Sequence, residues 1–187
     1  MTIRRRDVLR LTAAALAILA GTAWGTRVAA AVYLTQAQAL ALAFPEGSAI
    51  ERKTAFLTEE QLARARALAG ADVKVAGALV TRYVGTDAAG LTLGTAYFDT
   101  HRVRTVDETL MVVVDPEGRA SRIEILSFDE PPDYLPKKGW LAQLLGRPLD
   151  DELRLKRAIR PITGASLSSK AATDAVRRVL AVHRVIP

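Results

Sequence analysis

The sequence predicts an α+β domain, a mainly antiparallel sheet with helices packed on it. Three observations carry that expectation. Helix-type periodicity flanks a central run of strand-type segments. The strand segments are consecutive and separated by tight-turn residues, which favours hairpins over crossovers. A content of 50% apolar against 25% charged residues in 187 is a globular mixture with enough apolar mass for one core. No internal repeat and no second composition regime divides residues 32–187, so they are read as a single domain.

The elements follow in order. "TQAQALALAF", residues 35–44, reads as a helix stopped by Pro45. "SAIERKTAFL", 48–57, reads as a strand. "TEEQLARARALAG" sets Thr58 and Gln61 at capping-box spacing, with Leu62, Ala65 and Leu68 or Ala69 on one apolar face and Gly70 as a stop. Its Arg64 and Arg66 fall on a solvated face. "GALVTRYVGT", "GLTLGTAYFD", "ETLMVVVD" and "RASRIEILSF" are short and rich in Val, Ile, Thr and aromatics, with turns at Asp87-Ala88-Ala89-Gly90 and Asp115-Pro116-Glu117-Gly118. In the last of them Ile123 and Ile125 alternate with Arg122 and Glu124, so one sheet face is expected on a core and the other in water. "KGWLAQLLG", 138–146, is a short helix. A longer one closes the domain from about Leu167 to His183, with Leu167, Ala171, Ala175, Val179 and Leu180 along its apolar side.

The formal charge of +6 does not describe the domain. Residues 1–31 carry Arg4, Arg5, Arg6, Arg10 and Arg27 against Asp7, so most of the excess belongs to the leader and no nucleic-acid-binding surface is expected. That leader has a basic start, an uncharged apolar stretch from Leu11 to Gly25 and a small-residue end at Ala29-Ala30-Ala31, the pattern of an export signal cleaved after Ala31. Retention as a membrane anchor is the other reading, although the stretch is shorter than the roughly 20 residues of a comfortable span. Arg5-Arg6 before Asp7-Val8-Leu9 resembles a twin-arginine signal. Both readings place the working domain outside the cytoplasm, in the periplasm, free or tethered to the inner membrane.

No cysteine is present, which excludes disulfides, thiolate metal sites and Cys nucleophiles. The dinucleotide fingerprint, the Walker loop and the HExxH helix are missing too, and no metal is expected. His101 and His183 lie far apart. A Ser-His-Asp site built on them lacks support. His183 reads as a cation near a helix C-terminus and His101 as a loop or sheet-edge residue.

What remains is "RPITGASLSSKAATDAVRR", residues 160–178. Thr163, Gly164, Ala165 and Ser166 immediately precede the closing helix, where unpaired N–H groups and the positive end of the helix dipole meet. The hydroxyls serve either as ordinary caps or as part of a phosphate seat.

"TGAS" followed by "LSSKAATDAVRRVL" resembles the flavinylation signature of the periplasmic FMN-binding domain, found in the flavin subunits of Rnf and sodium-pumping NADH:quinone complexes and in small exported FMN-binding proteins. The family pattern is Asp-x-x-(Ser/Thr)-Gly-Ala-(Thr/Ser), and an FAD-dependent flavin transferase joins the FMN phosphate to the last hydroxyl. Here that hydroxyl belongs to Ser166. "ETLMVVVDPEGRASRIEILSFDEPP" resembles the family hairpin leading to an acidic residue before proline, here Glu130, and "GWLAQLLGR" its aromatic-led helix. The resemblance implies an FMN-binding-like core over about 77–183. One position departs from the pattern: Arg160 stands where the family has Asp or Asn.

The resemblance implies covalent FMN as the cofactor. Its contacts are expected from Thr163, Gly164, Ala165, Ser166, Leu167 and Ser168 in the loop and first turn, and from Glu130, Tyr134 and Trp140 around the ring. Lys137 and Lys138 are expected to be solvated, and Tyr83, Tyr97 and Phe98 to be core. The function implied is electron transfer between a membrane redox donor and a periplasmic acceptor, with the transferase as maturation partner. The alternatives are a non-flavinylated binding or assembly module of the same fold, for which Arg160 speaks, and a stand-alone flavin-dependent reductase, against which the small size and the lack of an acid–base pair speak.

Overall fold

The computed structural model describes residues 31–186, so the expected leader lies outside the described residues except for Ala31. Six strands run Ala31–Val32 (β1), Ala49–Phe56 (β2), Leu79–Thr86 (β3), Thr92–Val103 (β4), Val106–Val114 (β5) and Ala120–Phe128 (β6). They form one sheet in the order β1-β6-β5-β4-β3-β2, antiparallel throughout. From β2 to β6 each strand pairs with the next in sequence, as consecutive hairpins require.

The turn chemistry is visible in the bonds. Asp87 Oδ1 accepts from the N–H of Ala89 at 2.9 Å and of Leu91 at 2.8 Å, and Asp115 Oδ1 accepts from the Arg119 N–H at 2.8 Å. A third tight turn was not anticipated. β4 runs past Asp99 to Val103, and Arg104, at φ 55°, turns the chain straight into β5, so that His101 faces Glu108 across the pair. No Gly or Asn marks that turn, and a cationic residue adopts the left-handed conformation instead.

Helices α1 (Gln36–Ala43) and α2 (Glu59–Ala69) both start on a complete capping box. Thr58 Oγ1 accepts from the Gln61 N–H at 3.2 Å while Gln61 Oε1 accepts from the Thr58 N–H at 2.9 Å. A short helix, α3 (Lys138–Leu141), runs into a 3-10 turn, and α4 (Ser166–Val185) closes the fold. α2 and α4 pack together on one sheet face around Leu62, Val112, Val114, Ile123, Val176 and Leu180.

The opposite face is not simply wet. Ala39 and Phe44 from α1 and its end cover Ala96, Met111, Val113 and Leu126 in a second, smaller core. Gly85 makes room for it, because a Cβ there would meet the Phe44 ring at 2.4 Å. Glu124 is buried beside Arg122, whose guanidinium donates to it at 3.0 Å.

The apolar side of α4 also differs from expectation. Leu167 is 50% exposed, and the inward positions are Ala172, Ala175, Val176, Val179, Leu180 and Val182, interspersed with buried Ser168, Ser169, Thr173 and Arg177. α4 is enclosed by the sheet, by α2 and by the 141–159 segment, so a single apolar stripe does not describe it. Arg177 shows how its polar positions are tolerated. The guanidinium donates to the carbonyls of Ala69 (2.9 Å) and Leu153 (3.1 Å) and also to that of Asp150, tying the end of α2 to the 150–153 loop.

Candidate functional site

At the start of α4 the hydroxyls divide into two pairs. Ser168 and Ser169 are buried and occupied. Ser168 Oγ donates to Glu130 Oε2 at 2.5 Å, the length of a charge-assisted bond. Ser169 Oγ donates to the Ala165 carbonyl at 2.8 Å and accepts from the Ile162 N–H at 2.9 Å, closing the loop that precedes the helix. Thr163 and Ser166 are exposed, and neither hydroxyl has a hydrogen-bond partner among the described residues. Ala165, the N-cap, supplies no side-chain bond, so no hydroxyl caps the first-turn N–H groups of α4. Gly164 has φ 80° with nothing near the Cβ position, which leaves the backbone open to close approach.

The loop is braced from behind. Trp140 Nε1 donates to the Arg160 carbonyl at 2.6 Å, and Gln143 Oε1 accepts from the Arg160 N–H at 3.0 Å. The main chain at 160 is thereby fixed while the Arg160 side chain stays exposed.

Beside the first turns of α4 opens a cleft of about 840 Å³. One wall is α4, through Leu167, Lys170, Ala171 and Arg178; the other is β4 from Tyr97 to Val103, continued by Arg104. Segment 74–81 forms the lip. A volume of this size is typical of a small-molecule site.

Alternation along β4 turns Asp99 and His101 toward α4. Arg178 grips Asp99 with two bonds, 2.7 and 2.8 Å, and although burial pushes that carboxyl up, Arg178 and His101 hold it at about 2. His101 lies between carboxylates, with Nδ1 2.9 Å from Asp99 and Nε2 3.1 Å from Glu108. Burial opposes its charge, but the two acids raise it to about 9. Glu108 is buried behind it with Oε1 unpartnered, and burial raises its pKa. Thus His101 is an ion-paired strand residue and not a loop residue; it pairs with Glu108 on β5 and has no partner on β3, whose pairing with β4 ends at Ala96, so it stands at an open edge of the sheet as expected. His183 also differs from expectation. Burial and Arg82 lower its pKa, and Nδ1 lies 2.9 Å from the Tyr97 hydroxyl, so it is a half-buried neutral ring and not a terminal cation.

Residues 107–181, from the start of β5 through most of α4, match the family model described as "FMN-binding domain". This protein carries an FMN-binding domain. No curated protein and no solved structure matches the chain. The FMN-binding domain therefore includes the 163–166 loop, whereas β3, β4 and the cleft lip lie before the matched segment and reach the site only by pairing and packing. FMN fits what is present. An open glycine backbone and an unused hydroxyl meet the uncapped start of α4, and an adjoining cleft takes a body of ring size.

The residues expected around the ring fall in different places. Leu167 lines the cleft beside Ser166, while Glu130, Tyr134 and Trp140 do not line it. Glu130 anchors Ser168, Tyr134 lies under the Arg104 guanidinium at 5.7 Å, and Trp140 braces the signature loop. Lys137 and Lys138 are exposed, as expected. Tyr97 is buried and Tyr83 packs edge-on against Phe98 at 5.5 Å. The cleft residues Asp99, His101 and Arg178 were missed. The signal available was the i, i+2 alternation Tyr97, Asp99, His101, Val103, which places two ionisable groups on one sheet face.

Proposed function

We propose that this flavin-binding protein carries FMN as a phosphoester of Ser166 and passes electrons between a membrane donor and a periplasmic acceptor. The supporting observation is the position of Ser166: an exposed, unpartnered hydroxyl on the first residue of α4, beside the cleft and inside the FMN-binding domain. When bound, FMN supplies one- and two-electron chemistry; the protein holds it, tunes it and limits access to it.

The chain's own residues divide those tasks. Ser169 and Trp140 hold the loop so that Ser166 faces outward. The uncapped first-turn N–H groups of α4 would meet the phosphate, a contact worth about 0.3–1 kcal/mol, which is too weak to retain a cofactor in a compartment poor in free FMN. A covalent bond makes retention permanent. The walls from β4 and α4 would shield a ring lodged in the cleft on two sides, and its open side would be left to a redox partner.

The test is co-expression of the exported chain with an FAD-dependent flavin transferase, followed by intact mass and visible absorbance under denaturing conditions. A yellow protein whose adduct maps to Ser166 is the expected result. A colourless, unmodified protein overturns the reading and favours a binding or assembly module, for which the exposed Arg160 in place of an acidic residue is the structural argument.

A further inference from the structure

We infer that His101 is held as an imidazolium in the cleft wall, and that its positive charge sets the reduction potential of a flavin ring lodged there. The inference rests on the flavin reading above for its electrochemical half, while the charge state of His101 stands on geometry alone.

Both ring nitrogens of His101 face carboxylate oxygens, Asp99 Oδ1 at 2.9 Å and Glu108 Oε2 at 3.1 Å. A neutral imidazole carries one N–H, so it satisfies both contacts only if Glu108 is protonated and donates to Nε2; with both acids ionised the imidazolium satisfies both, and histidine titration separates the two arrangements. Because each nitrogen is engaged by an acid, the ring is not a metal ligand, and no metal-binding group of side chains occurs among the described residues.

The surroundings decide how that charge is felt. On its own strand His101 faces Asp99, on β5 Glu108, and on α4 Arg178. Arg178 already neutralises Asp99 through two bonds. Glu108 sits behind the imidazole, only 1% exposed, and does not line the cleft. Glu130, which raises Glu108 further, is itself held by Ser168 with Arg104 at 3.9 Å. At the rim stand Lys74 and Lys170, the latter 2.6 Å from Asp174. The acids that line the cleft are paired, Asp99 with Arg178 and both Asp72 and Asp174 with Lys170, and Glu108 is set back, so the charge of His101 is the one added to the cleft wall. A reduced ring that has gained negative charge is stabilised against such a wall. His101 is a potential-setting residue by this account, and Glu108 is a positioning residue that keeps the ring protonated.

Two measurements test the inference. Histidine NMR titration of the protein without cofactor is expected to find His101 protonated through neutral pH and releasing its proton near 9; a ring that titrates at or below its ordinary 6.5 overturns the inference whether or not flavin binds. On flavinylated protein, His101→Gln is expected to make reduction at pH 7 about tenfold less favourable, about 59 mV for a one-electron couple. The wild-type potential should show an added fall with pH near 9 that His101→Gln abolishes and Glu108→Gln moves to lower pH. Glu108→Gln also covers the case in which His101→Gln fails to fold. An unchanged potential with the adduct in place overturns the inference and leaves the flavin reading intact. An unmodified Ser166 overturns that reading and the electrochemical half with it, while the NMR result still decides the charge of His101.

Discussion

α2 and α4 both begin beside hydroxyl-bearing residues, yet the two beginnings are built for different ends. At α2 the Thr58 oxygen and the Gln61 amide close on each other's backbone, so the N–H groups of Thr58 and Gln61 are both satisfied at the helix start. At α4 the residue in the capping position is Ala165. The nearby hydroxyls are either drawn into the core, as in Ser168 and Ser169, or left outside with no partner, as in Thr163 and Ser166. A serine- and threonine-rich helix start is thus not evidence of capping. What each oxygen touches separates a closed terminus from one that still has donors and a nucleophilic hydroxyl to offer.

The largest effect that tests this contrast is chemical. Ser166→Ala is expected to abolish the FMN adduct completely in intact-mass spectra while Thr163→Ala retains it. An adduct that survives Ser166→Ala would make the open terminus irrelevant to attachment. Next comes Ser168→Ala, which leaves the buried Glu130 carboxylate without its donor; a loss of about 1.5–3 kcal/mol in denaturant titration is expected for a bond to a charged group. Thr58→Ala removes a working cap and should cost about 1 kcal/mol, whereas Ser166→Ala should change stability by less than about 0.5 kcal/mol. Equal losses at the two positions would erase the distinction.

The smallest expected effect is a pH limb. Asp72 is lowered to about 2, first by its bond to Arg154 and then by Lys170 near the start of α4. Because its folded-state value lies below the ordinary 3.8, its contribution is present above that value and disappears as pH falls through about 2. The group is largely solvated, so Asp72→Asn should shift the acid limb of thermal unfolding only slightly, and added salt should shrink the shift.

Much of the local structure was legible because its causes are local. The Thr58 and Gln61 box, the Asp87 and Asp115 turns and the Gly70 stop each depend on residues within four positions of one another. The Arg104 turn was not legible, since its sequence lacks the usual glycine or asparagine and pairing of the long strands forces the conformation. Nor was the phase of α4. Leu167 reads as a core residue by periodicity, but the 141–159 segment and α2 fill the sides that matter and leave it at the cleft. Trp140 reads as a ring contact or a core residue; the bond of its indole N–H to the Arg160 carbonyl, a partner 20 positions away, is something no local pattern states.

By itself the sequence determined an α+β domain of consecutive antiparallel hairpins, a closing helix and a hydroxyl-rich loop before it, since periodicity, caps and turns act over a few residues. Tertiary structure alone decided which hydroxyls are free, that both sheet faces carry a core, and that His101, Asp99, Glu108 and Arg178 meet beside the cleft. Those outcomes depend on strand register and helix packing. A shift of one residue in the β4–β5 pairing would turn His101 away from Glu108, and nothing in the order of residues states that register outright.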